Sequence, residues 1–482
     1  MLRIALASAL LFPPAWAGAA RAGGFEAWQS TPALKNALWG LSAAFADSGE
    51  PIAAFQADKP LTPASSMKVF VTAAALSTLG GNARFRTRLC RSGTLGADGT
   101  LRGDLRLIGG GDPTLGTTLM KGRPSMEDVL DSWADAVKAG GIRRVEGAVL
   151  ADNSLFQGLP VPGSWSWEDL GNYYAAPADA LSLHDNLYSL VFAPGRAASE
   201  EARLLRTEPE IPGLRFTNRM RTGAPGSGDE AFVFNTPGST EATLRGTVPA
   251  GAREFTIKGS IPEPALFAAR ALRSRLQRAA IPVSGESALA APLACGPDAL
   301  LAETLSPPLK DIVRVTHRRS VNLYAEMLAR ALAVSAGRPA TPENGAAAVL
   351  DFLRSAKIDS SGLRLDDACG LSRRNAVPPK ALSDLLAFMS RGPTFDAFRE
   401  SFAAPGLDET SGSVRTFGKG ALEGRLRFKP GFMSGVRSVC GYLSPRSGRL
   451  IVFAFIVNNS GASRAEIEDL LMPFLVELAE QR

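Results

Sequence analysis

The chain has 482 residues, of which 45% are hydrophobic and 21% charged, and its net charge is +6 at pH 7. A guide of about 150 residues per domain predicts two or three domains, each able to bury its own core. The lysines and arginines are scattered and form no basic stripe with interleaved aromatic residues, which argues against a nucleic-acid partner. The positive balance is compatible with an acidic partner or a polyanionic cell wall.

The first residues have the pattern of a cleaved signal peptide. Arg3 is followed by an apolar run at 4–12 and by small-x-small sites at 15–17 and 20–22, which is the order of a secretory leader. We therefore predict that residues 1–22 are removed and that the mature protein is periplasmic. No later stretch approaches about 20 uncharged apolar residues, so no integral membrane segment is predicted.

A run at residues 65–79, SSMKVFVTAAALSTL, brings a serine and a lysine together. It is alanine-rich, lacks internal glycine and proline, and precedes Gly80-Gly81, which predicts one helix with Ser65 in its first turn. Because residues i and i+3 share a helix face, the Lys68 amine is expected within hydrogen-bond reach of the Ser65 hydroxyl. A single S-x-x-K also arises by chance in a chain of this length, so the pair needs companions.

Beyond this helix the pattern changes to short strands and loops. Strand-like pieces lie at 84–89, 103–108 and 145–151. In residues 84–89, arginines alternate with apolar or β-branched residues, as expected for a strand in a sheet with one solvent-exposed face. A helix among these pieces opens with the capping box Ser125-x-x-Asp128 and ends at Gly140-Gly141. The stretch 196–263 is rich in Gly, Pro, Thr and Arg, and predicts small strands and loops.

The second half of the chain becomes helical and ends in a hairpin. Helices are predicted after Asn322, from Pro342 and after Pro378-Pro379. Strands are predicted around 425–428, 436–443 and 449–457. A terminal helix opens with the capping box Ser463-x-x-Glu466, and Pro473 is expected to kink it. Its polar face is acidic, which indicates a core helix and argues against an interfacial membrane anchor.

Cysteine and histidine usage limits the chemistry. The cysteines are Cys90, Cys295, Cys369 and Cys440. Outside the cytoplasm this even count allows two disulfides in three possible pairings, and four unpaired buried thiols are an equal alternative. The only histidines are His184 and His317, and they lack metal-ligand spacing. No metal is therefore predicted, and a lysine base is more attractive than a Ser-His-Asp triad.

Two further three-residue motifs could contribute to an active site with Ser65 and Lys68. Ser320-x-Asn322 stands at a predicted helix entrance, and Lys429-x-Gly431 follows the first strand of the final hairpin. Taken singly, Ser320 or Asn322 could be a helix N-cap and Lys429 a solvated strand lysine. The order S-x-x-K, S-x-N, K-x-G resembles the three-part signature of serine penicillin-recognising enzymes.

Three other phrases extend the resemblance over nearly the whole mature chain. They are Gly111-Asp112-Pro113-Thr114-Leu115, Ser306-Pro307-Pro308-Leu309-x-Asp311-Ile312 and Asp367-x-Cys369-Gly370-Leu371-Ser372. The chain thus resembles the class C low-molecular-mass penicillin-binding proteins (peptidase S13 family), a family that includes penicillin-binding protein 4. Two departures stand out, because family members usually carry Ser where this chain has Cys369, and Thr or Ser where it has Pro430.

The resemblance implies an α+β fold of the serine β-lactamase/transpeptidase type, an antiparallel sheet with helices. It implies a penicillin-binding domain split into residues 23–85 and 290–482 by a large mixed α/β insertion of non-catalytic domains at 86–289. It also implies a serine D-alanyl-D-alanine carboxypeptidase, a DD-endopeptidase or both. Such an enzyme acts on peptidoglycan stem peptides, is inhibited covalently by β-lactam antibiotics, and requires neither a metal nor an organic cofactor.

The same resemblance assigns a catalytic role to five residues. Ser65 would attack the carbonyl of a D-Ala-D-Xaa bond, and Lys68, kept neutral by burial and nearby positive charge, would accept its proton. Ser320 and Lys429 would relay a proton to the leaving amine, and Asn322 would hold the peptide group of the substrate. Water would then release the product from the acyl-enzyme.

The end of the first hairpin strand would bind the substrate. Backbone N–H groups of Ser65 and of Phe432, next to Gly431, would hold the oxyanion. In the family, the hydroxyl at position 430 binds the terminal carboxylate of the substrate, and Pro430 has no such hydroxyl. Ser434 and Arg437 are the nearest candidate replacements. Arg437 is attractive because a guanidinium matches a carboxylate bidentately, and a solvated strand arginine is the alternative.

Two other functions and one cysteine pairing are also considered. A serine β-lactamase would differ in clearing the acyl-enzyme rapidly with water. A catalytically silent peptidoglycan-binding or scaffolding protein of the same fold is kept open by Pro430. Cys369 and Cys440 flank different motifs of the predicted site, so a disulfide between them is a further hypothesis.

Overall fold

The structure is a computed structural model that describes residues 25–292, 294–407 and 416–481. The predicted signal peptide, residues 1–22, lies outside the described residues. Among the helices within those ranges, none is both long and apolar enough to cross a membrane.

The N-terminal part supplies two strands and the helix that follows Ser65. Its elements are α1 (Glu26–Gln29), β1 (Leu38–Phe45), β2 (Pro51–Phe55) and α2 (Lys68–Leu79). A 3-10 turn at Ala64–Met67 precedes α2 and contains Ser65, so the predicted helix begins with a tighter turn than expected. Gly80 ends α2 with a φ of +82°, a left-handed conformation that glycine adopts without strain.

The central part is rich in short strands. Its elements are β3 (Arg86–Arg91), β4 (Thr94–Leu95), β5 (Thr100–Arg102), β6 (Leu105–Ile108), α3 (Met126–Ala139), β7 (Arg144–Val145), β8 (Val149–Asp152), β9 (Leu187–Ala193), β10 (Arg203–Glu208), β11 (Arg215–Gly223), β12 (Phe232–Phe234), β13 (Glu241–Pro249), β14 (Phe255–Ser260), α4 (Pro264–Arg278), β15 (Ala288–Leu289) and β16 (Leu300–Leu305). The capping box of Ser125 and Asp128 is present at the start of α3, as predicted.

The C-terminal part contains the predicted helices and hairpin. Its elements are α5 (Leu309–Arg318), α6 (Asn322–Ser335), α7 (Pro342–Ser355), α8 (Pro379–Ser390), α9 (Phe395–Ser401), β17 (Leu426–Met433), β18 (Val436–Leu443), β19 (Ile451–Asn458) and α10 (Arg464–Glu480). The capping box of Ser463 and Glu466 is confirmed, and α10 continues through Pro473.

One antiparallel sheet, called here the main sheet, joins the two ends of the chain. Its strand order is β17-β18-β19-β1-β2. Trp39 on β1 lies opposite Val457 on β19, and Lys429 on β17 lies opposite Cys440 on β18. The N-terminal strands therefore complete a sheet whose other strands come from the far end of the sequence.

Helices cover both faces of the main sheet. On one face α2, α6 and α8 bury Phe70, Leu328 and Leu382. On the other, Trp28 of α1 and Phe474 of α10 pack with the strands, so the terminal helix is a core helix, as predicted. Full burial of such a side chain contributes roughly 1.5–3 kcal/mol, and the two layers fix the strands that carry the site. The predicted antiparallel sheet with helices is confirmed.

The central part forms its own sheets and its own core, and is called here the insertion. Its larger sheet has the order β15-β8-β6-β3-β16, and three smaller ones have the orders β10-β9-β14, β11-β13-β12 and β4-β5-β7. Trp133 and Leu244 belong to a core separate from those of the main sheet. The domain limits 23–85, 86–289 and 290–482 stay predictions, but β16 pairs with β3, which places residues 300–305 in the insertion.

The cysteines form neither two disulfides nor four unpaired thiols, the two patterns considered from the sequence. Cys90 and Cys295 form a disulfide, whereas Cys369 and Cys440 are free and buried. The hypothesis of a Cys369–Cys440 bond is wrong. The Cys369 sulfur lies 3.6 Å from Asp367 Oδ2, and the Cys440 sulfur lies 4.0 Å from the Lys429 carbonyl oxygen, so each thiol packs against its own motif.

Candidate active site

Ser65 and Lys68 meet where the 3-10 turn enters α2. The Lys68 side chain is fully buried, and its Nζ lies 3.0 Å from Ser65 Oγ. The same Nζ lies 2.6 Å from Asn322 Oδ1 and 2.7 Å from the Cys369 carbonyl oxygen. The predicted contact between serine and lysine is therefore confirmed, and the lysine is held by oxygens from two other motifs.

Burial controls the protonation of Lys68. Desolvation lowers the pKa of Lys68 below its usual value, while the nearby Asp367 and Glu326 carboxylates act in the opposite direction. The positive charge expected near this amine is that of Lys429, with which Lys68 interacts. Burial is the largest cause that favours the neutral form of Lys68.

The Asp367 loop, residues 367–372, orients the carbonyl group that faces Lys68. Asp367 Oδ1 accepts hydrogen bonds from Gly370 N and Asn375 Nδ2, both at 2.7 Å. Its Oδ2 accepts bonds from Trp165 Nε1 at 2.9 Å and Ser372 N at 2.5 Å. A fully bonded buried carboxylate of this kind rigidifies its surroundings, which fixes the loop beside Lys68.

Glu326 on α6 also holds this loop through hydrogen bonds. Its Oε1 accepts hydrogen bonds from Ala368 N at 2.8 Å and Cys369 N at 3.0 Å. Burial and the neighbouring Asp367 raise the pKa of Glu326 to about 7. Donor atoms of Glu326, Asp367 and Cys369 lie within 4.8 Å of one another, but the carboxylate oxygens already accept backbone N–H groups. The cluster fits a loop support better than a metal site.

Ser320 and Lys429 form a second serine–lysine pair. Lys429 is fully buried and donates to Ser320 Oγ at 2.9 Å and to the Pro430 carbonyl oxygen at 2.7 Å. Burial, and then the charge of Lys68, hold the pKa of Lys429 well below its usual value. Lys429 is therefore not the solvated strand lysine considered from the sequence.

Asn322 links Lys68 to the insertion. It is the first residue of α6, whose N-cap is Val321, without a side-chain cap bond. Asn322 Nδ2 donates to the Tyr174 carbonyl oxygen at 2.7 Å, while its Oδ1 accepts from Lys68. The N-cap alternative for Ser320 and Asn322 is thus wrong, because both side chains bond to lysines.

Gly431 brings the edge of the main sheet against Ser65. A Cβ at this position would lie 2.2 Å from Ser438 Oγ and 3.0 Å from Ser65 N, so only glycine permits this approach. The next residue, Phe432, is 62% exposed. Pro430 is tolerated because β17 is the edge strand of the sheet.

Arg437 lies across the hairpin from Phe432 and faces a cavity of about 390 Å³ beside Ser65. Its guanidinium is 4.1 Å from the centre of the Phe432 ring, and its Nη1 donates to the Met433 and Val436 carbonyl oxygens at 2.8 and 2.9 Å. Burial and the neighbouring Arg464 lower the pKa of Arg437. The side chain is therefore held in place and partly desolvated.

His317 is a feature of the site that the sequence analysis did not assign. It is buried, and its ring bonds to Thr72 Oγ1 at 2.8 Å through Nε2 and to Ser401 Oγ at 2.7 Å through Nδ1. Burial and the charges of Lys429 and Lys68 hold the pKa of His317 well below its usual value. The one signal in the sequence that could have placed His317 in the site was its position three residues before Ser320.

Comparison with known proteins decides the family. A model of the D-Ala-D-Ala carboxypeptidase 3 (S13) family matches residues 25–478. The chain belongs to this family. It is 31% identical over 462 residues to a D-alanyl-D-alanine carboxypeptidase of Actinomadura sp., covering 93% of this chain and 83% of the relative. It is 25% identical to the D-alanyl-D-alanine carboxypeptidase DacB of Haemophilus influenzae, covering 86% and 84%.

Solved structures agree on the fold of this S13 family member. The crystal structure of penicillin-binding protein 4 from Haemophilus influenzae matches with a TM-score of 0.79 at 23% identity, covering 93% of this chain and 97% of that one. The predictions of the family, of the fold class and of a D-Ala-D-Ala carboxypeptidase, a peptidase hydrolase, are confirmed. The β-lactamase and silent-protein alternatives are not favoured.

Proposed function

We propose that this S13 family member is a periplasmic serine D-alanyl-D-alanine carboxypeptidase that acts on peptidoglycan stem peptides through an acyl-enzyme on Ser65. The observation that carries the proposal is the buried Lys68 amine, 3.0 Å from Ser65 Oγ. A neutral amine has two N–H groups and one lone pair. Its N–H groups match the Asn322 and Cys369 oxygens, which can only accept, and its lone pair matches the Ser65 hydroxyl proton.

In the first step Ser65 Oγ attacks the carbonyl carbon of the D-Ala-D-Xaa bond, and its proton passes to Lys68. The oxyanion that forms would be held by the backbone N–H groups of Ser65 and Phe432. The close approach of Gly431 to Ser65 N supports this arrangement. An additional side chain at 431 would separate the two elements that carry the donors.

In the second step the peptide bond breaks and the leaving amine takes a proton. Ser320 is suited to deliver it, because its hydroxyl is bonded to the buried Lys429 amine at 2.9 Å. The proton that Lys68 took from Ser65 replaces the one that Ser320 gives, so both lysines are neutral again. Asn322 would orient the peptide group, since both ends of its amide are already fixed by hydrogen bonds. Water then attacks the acyl-enzyme and gives one proton to Lys68. That proton passes to Ser65 Oγ as the ester bond breaks and the shortened stem peptide leaves.

A fluorescent penicillin tests the proposal directly. The wild-type protein is expected to form a stable adduct, and mass spectrometry should place one β-lactam on the peptide containing Ser65, with none on Ser65→Ala. The same preparation should release D-alanine from a D-Ala-D-Ala pentapeptide. Rapid turnover of penicillin would instead favour a β-lactamase, and failure to acylate with any β-lactam would favour a silent protein. Acylation of Ser65→Ala at the normal rate would refute the assignment.

A further inference from the structure

The insertion carries an aromatic face on its surface, part of it on the loop that also contacts Asn322. It consists of Trp167, Phe232 and Phe234. The rings of Trp167 and Phe234 are stacked with centroids 5.1 Å apart and planes 27° apart, and those of Phe234 and Phe232 are stacked at 6.1 Å and 23°. Trp167 is 71% exposed and Phe232 is 41% exposed. Apolar surface patches of this kind are often functional.

Backbone contacts hold the aromatic face in place. Phe232 and Phe234 alternate with the buried Val233 on β12, so both point outward. The loop that carries Trp167 is fastened to β12 by Asn172, whose Oδ1 accepts from Val233 N at 3.0 Å. In the same loop, a Cβ on Gly171 would lie 2.3 Å from the Val233 carbonyl oxygen. The rings are therefore presented by a fixed loop and a strand.

The same loop reaches the reacting groups. Tyr174, seven residues after Trp167, accepts the hydrogen bond of Asn322 Nδ2 on its carbonyl oxygen at 2.7 Å. The ring of Tyr173, which is 56% exposed, contacts the Tyr174 ring at 5.3 Å. A continuous segment thus connects the aromatic face of the insertion to the residue that would orient the scissile peptide.

Hydrogen-bond donors border the rings. Thr243 on β13 lies opposite Phe234, and Arg245 lies opposite Phe232. Arg219 on β11 is the next residue across from Arg245. Arg219 and Arg245 are exposed, and neither forms an ion pair with any residue in the described ranges. Flat rings beside free donors suit a ligand with apolar faces and polar edges.

We propose that the aromatic face binds the glycan strand of peptidoglycan, with sugar rings lying on Trp167 and Phe234 and their acetamido and hydroxyl oxygens facing Thr243 and Arg245. The proposal rests on the proposed function, because the stem peptide that enters the site is attached to such a strand. Three partly exposed rings offer roughly 300 Å², below the ~800 Å² per partner of a stable protein interface. The face therefore suits a narrow polymer better than a second protein.

Tryptophan fluorescence reads this site selectively. The other tryptophans of the described residues are at most 7% exposed, so acrylamide quenching in the folded protein reports mainly on Trp167. Chitotetraose and amidase-stripped murein strands, neither of which carries a stem peptide, are expected to reduce quenching at least twofold at saturation. Unchanged quenching with both probes would overturn the proposal. Protection by anionic lipid vesicles and not by the glycans would also overturn it.

Kinetics separate this proposal from the proposed function. Phe232→Ser and Trp167→Ala are expected to lower kcat/KM on intact sacculi at least fivefold while leaving D-alanine release from a free pentapeptide and penicillin acylation unchanged. Leu289→Ser is the matched control, because Leu289 is 55% exposed on a different sheet of the insertion. Equal losses on sacculi and free peptide would overturn the glycan site without affecting Ser65. Loss of acylation in the wild type would instead refute the proposed function.

Discussion

Lys68 and Lys429 each place a buried amine against a serine hydroxyl, but their other partners differ. Lys68 faces Asn322 and Cys369 oxygens, which leaves its lone pair for Ser65 when it is neutral. Lys429 faces one carbonyl oxygen and Ser320. The difference supports the proposal that the first amine accepts the proton of the nucleophile and that the second relays a proton through Ser320.

Replacement of Lys68 tests this assignment. Lys68→Met removes the base while keeping a side chain of similar length, and general-base loss costs about 10²–10⁴-fold in rate. We expect acylation by penicillin to fall at least 100-fold, with an unchanged circular dichroism spectrum. In the wild type, acylation should slow as the pH falls through the lowered pKa of Lys68, because the ammonium form has no lone pair. The exposed Lys310 provides the control, and an equal loss in Lys310→Met would contradict the role of Lys68.

Arg437 is the residue expected to replace the hydroxyl absent at Pro430. A charge-assisted hydrogen bond contributes about 1.5–3 kcal/mol, so Arg437→Ala is expected to lower kcat/KM on a D-Ala-D-Ala peptide by roughly ten- to a hundredfold. The amidated peptide, which lacks the terminal carboxylate, should be affected far less. Pro430→Thr in the Arg437→Ala background should restore part of the loss.

The exposed Arg319 is the control for this experiment, since it lies beside Ser320 without facing Phe432. Arg319→Ala is expected to change neither substrate. Equal losses of the acid and the amide in Arg437→Ala would show that the guanidinium supports the hairpin and does not bind the carboxylate. Its bonds to Met433 and Val436 make that outcome a real alternative.

At the level of elements, local sequence signals predicted the helix starts that depend only on neighbouring residues. Capping boxes placed the starts of α3 and α10, and prolines placed those of α7 and α8. The turn before α2 differs because Ala64, with a φ of +46°, packs against Gly370, and Ser65 packs against Gly431 from the other end of the chain. The sequence pattern of residues 65–79 cannot predict a contact with residues so distant in the chain.

The groups around the site are harder to predict for the same reason. The motifs identified Ser65, Lys68, Ser320, Asn322 and Lys429, and the structure brings them together. His317 and Glu326 were missed because their partners lie on other helices or loops far away in the sequence. The thiols of Cys369 and Cys440 were wrongly paired because proximity to one site does not fix the direction of a side chain.

His317 makes the packing of α2, α5 and α9 sensitive to pH. Its pKa in the folded protein lies well below the unfolded value of about 6.5, so the unfolded chain binds the proton more readily. The stabilisation is complete above pH 6.5 and is lost as the pH falls below it, by at most about 1.4 kcal/mol per pH unit. His317→Leu should remove this loss.

Urea unfolding of both proteins between pH 7.5 and 5 measures the effect. The difference in unfolding free energy between wild type and His317→Leu should shrink with decreasing pH, because other titrating groups are common to both. The exposed-loop variant Ser361→Ala should run parallel to the wild type at every pH. A constant difference for His317→Leu would mean that the histidine does not exchange its proton on unfolding.

At the level of the whole molecule, the chain enters and leaves the insertion at neighbouring strands. β3 begins it and β16 ends it, and the two strands pair in one sheet. Trp133 on α3 donates to Thr304 on β16 at 3.0 Å, and the Cys90–Cys295 disulfide closes the same region. The sequence suggested the insertion through its change of pattern, but strand pairing across it involves residues too far apart for any local signal.

The disulfide spans 205 residues of sequence, so its removal is expected to destabilise the insertion without reaching Ser65. Loss of a native disulfide costs about 2–5 kcal/mol, and the double variant Cys90→Ser, Cys295→Ser should lower the calorimetric unfolding temperature. Penicillin acylation at 25 °C should be unchanged, because the catalytic motifs lie on the main sheet and its helices. Dithiothreitol should destabilise the wild type and leave the double variant unaffected. Maleimide labelling of Cys295, the accessible partner, in the folded, unreduced wild type would show that the bond is absent and that the closure of the insertion depends on β3–β16 pairing alone.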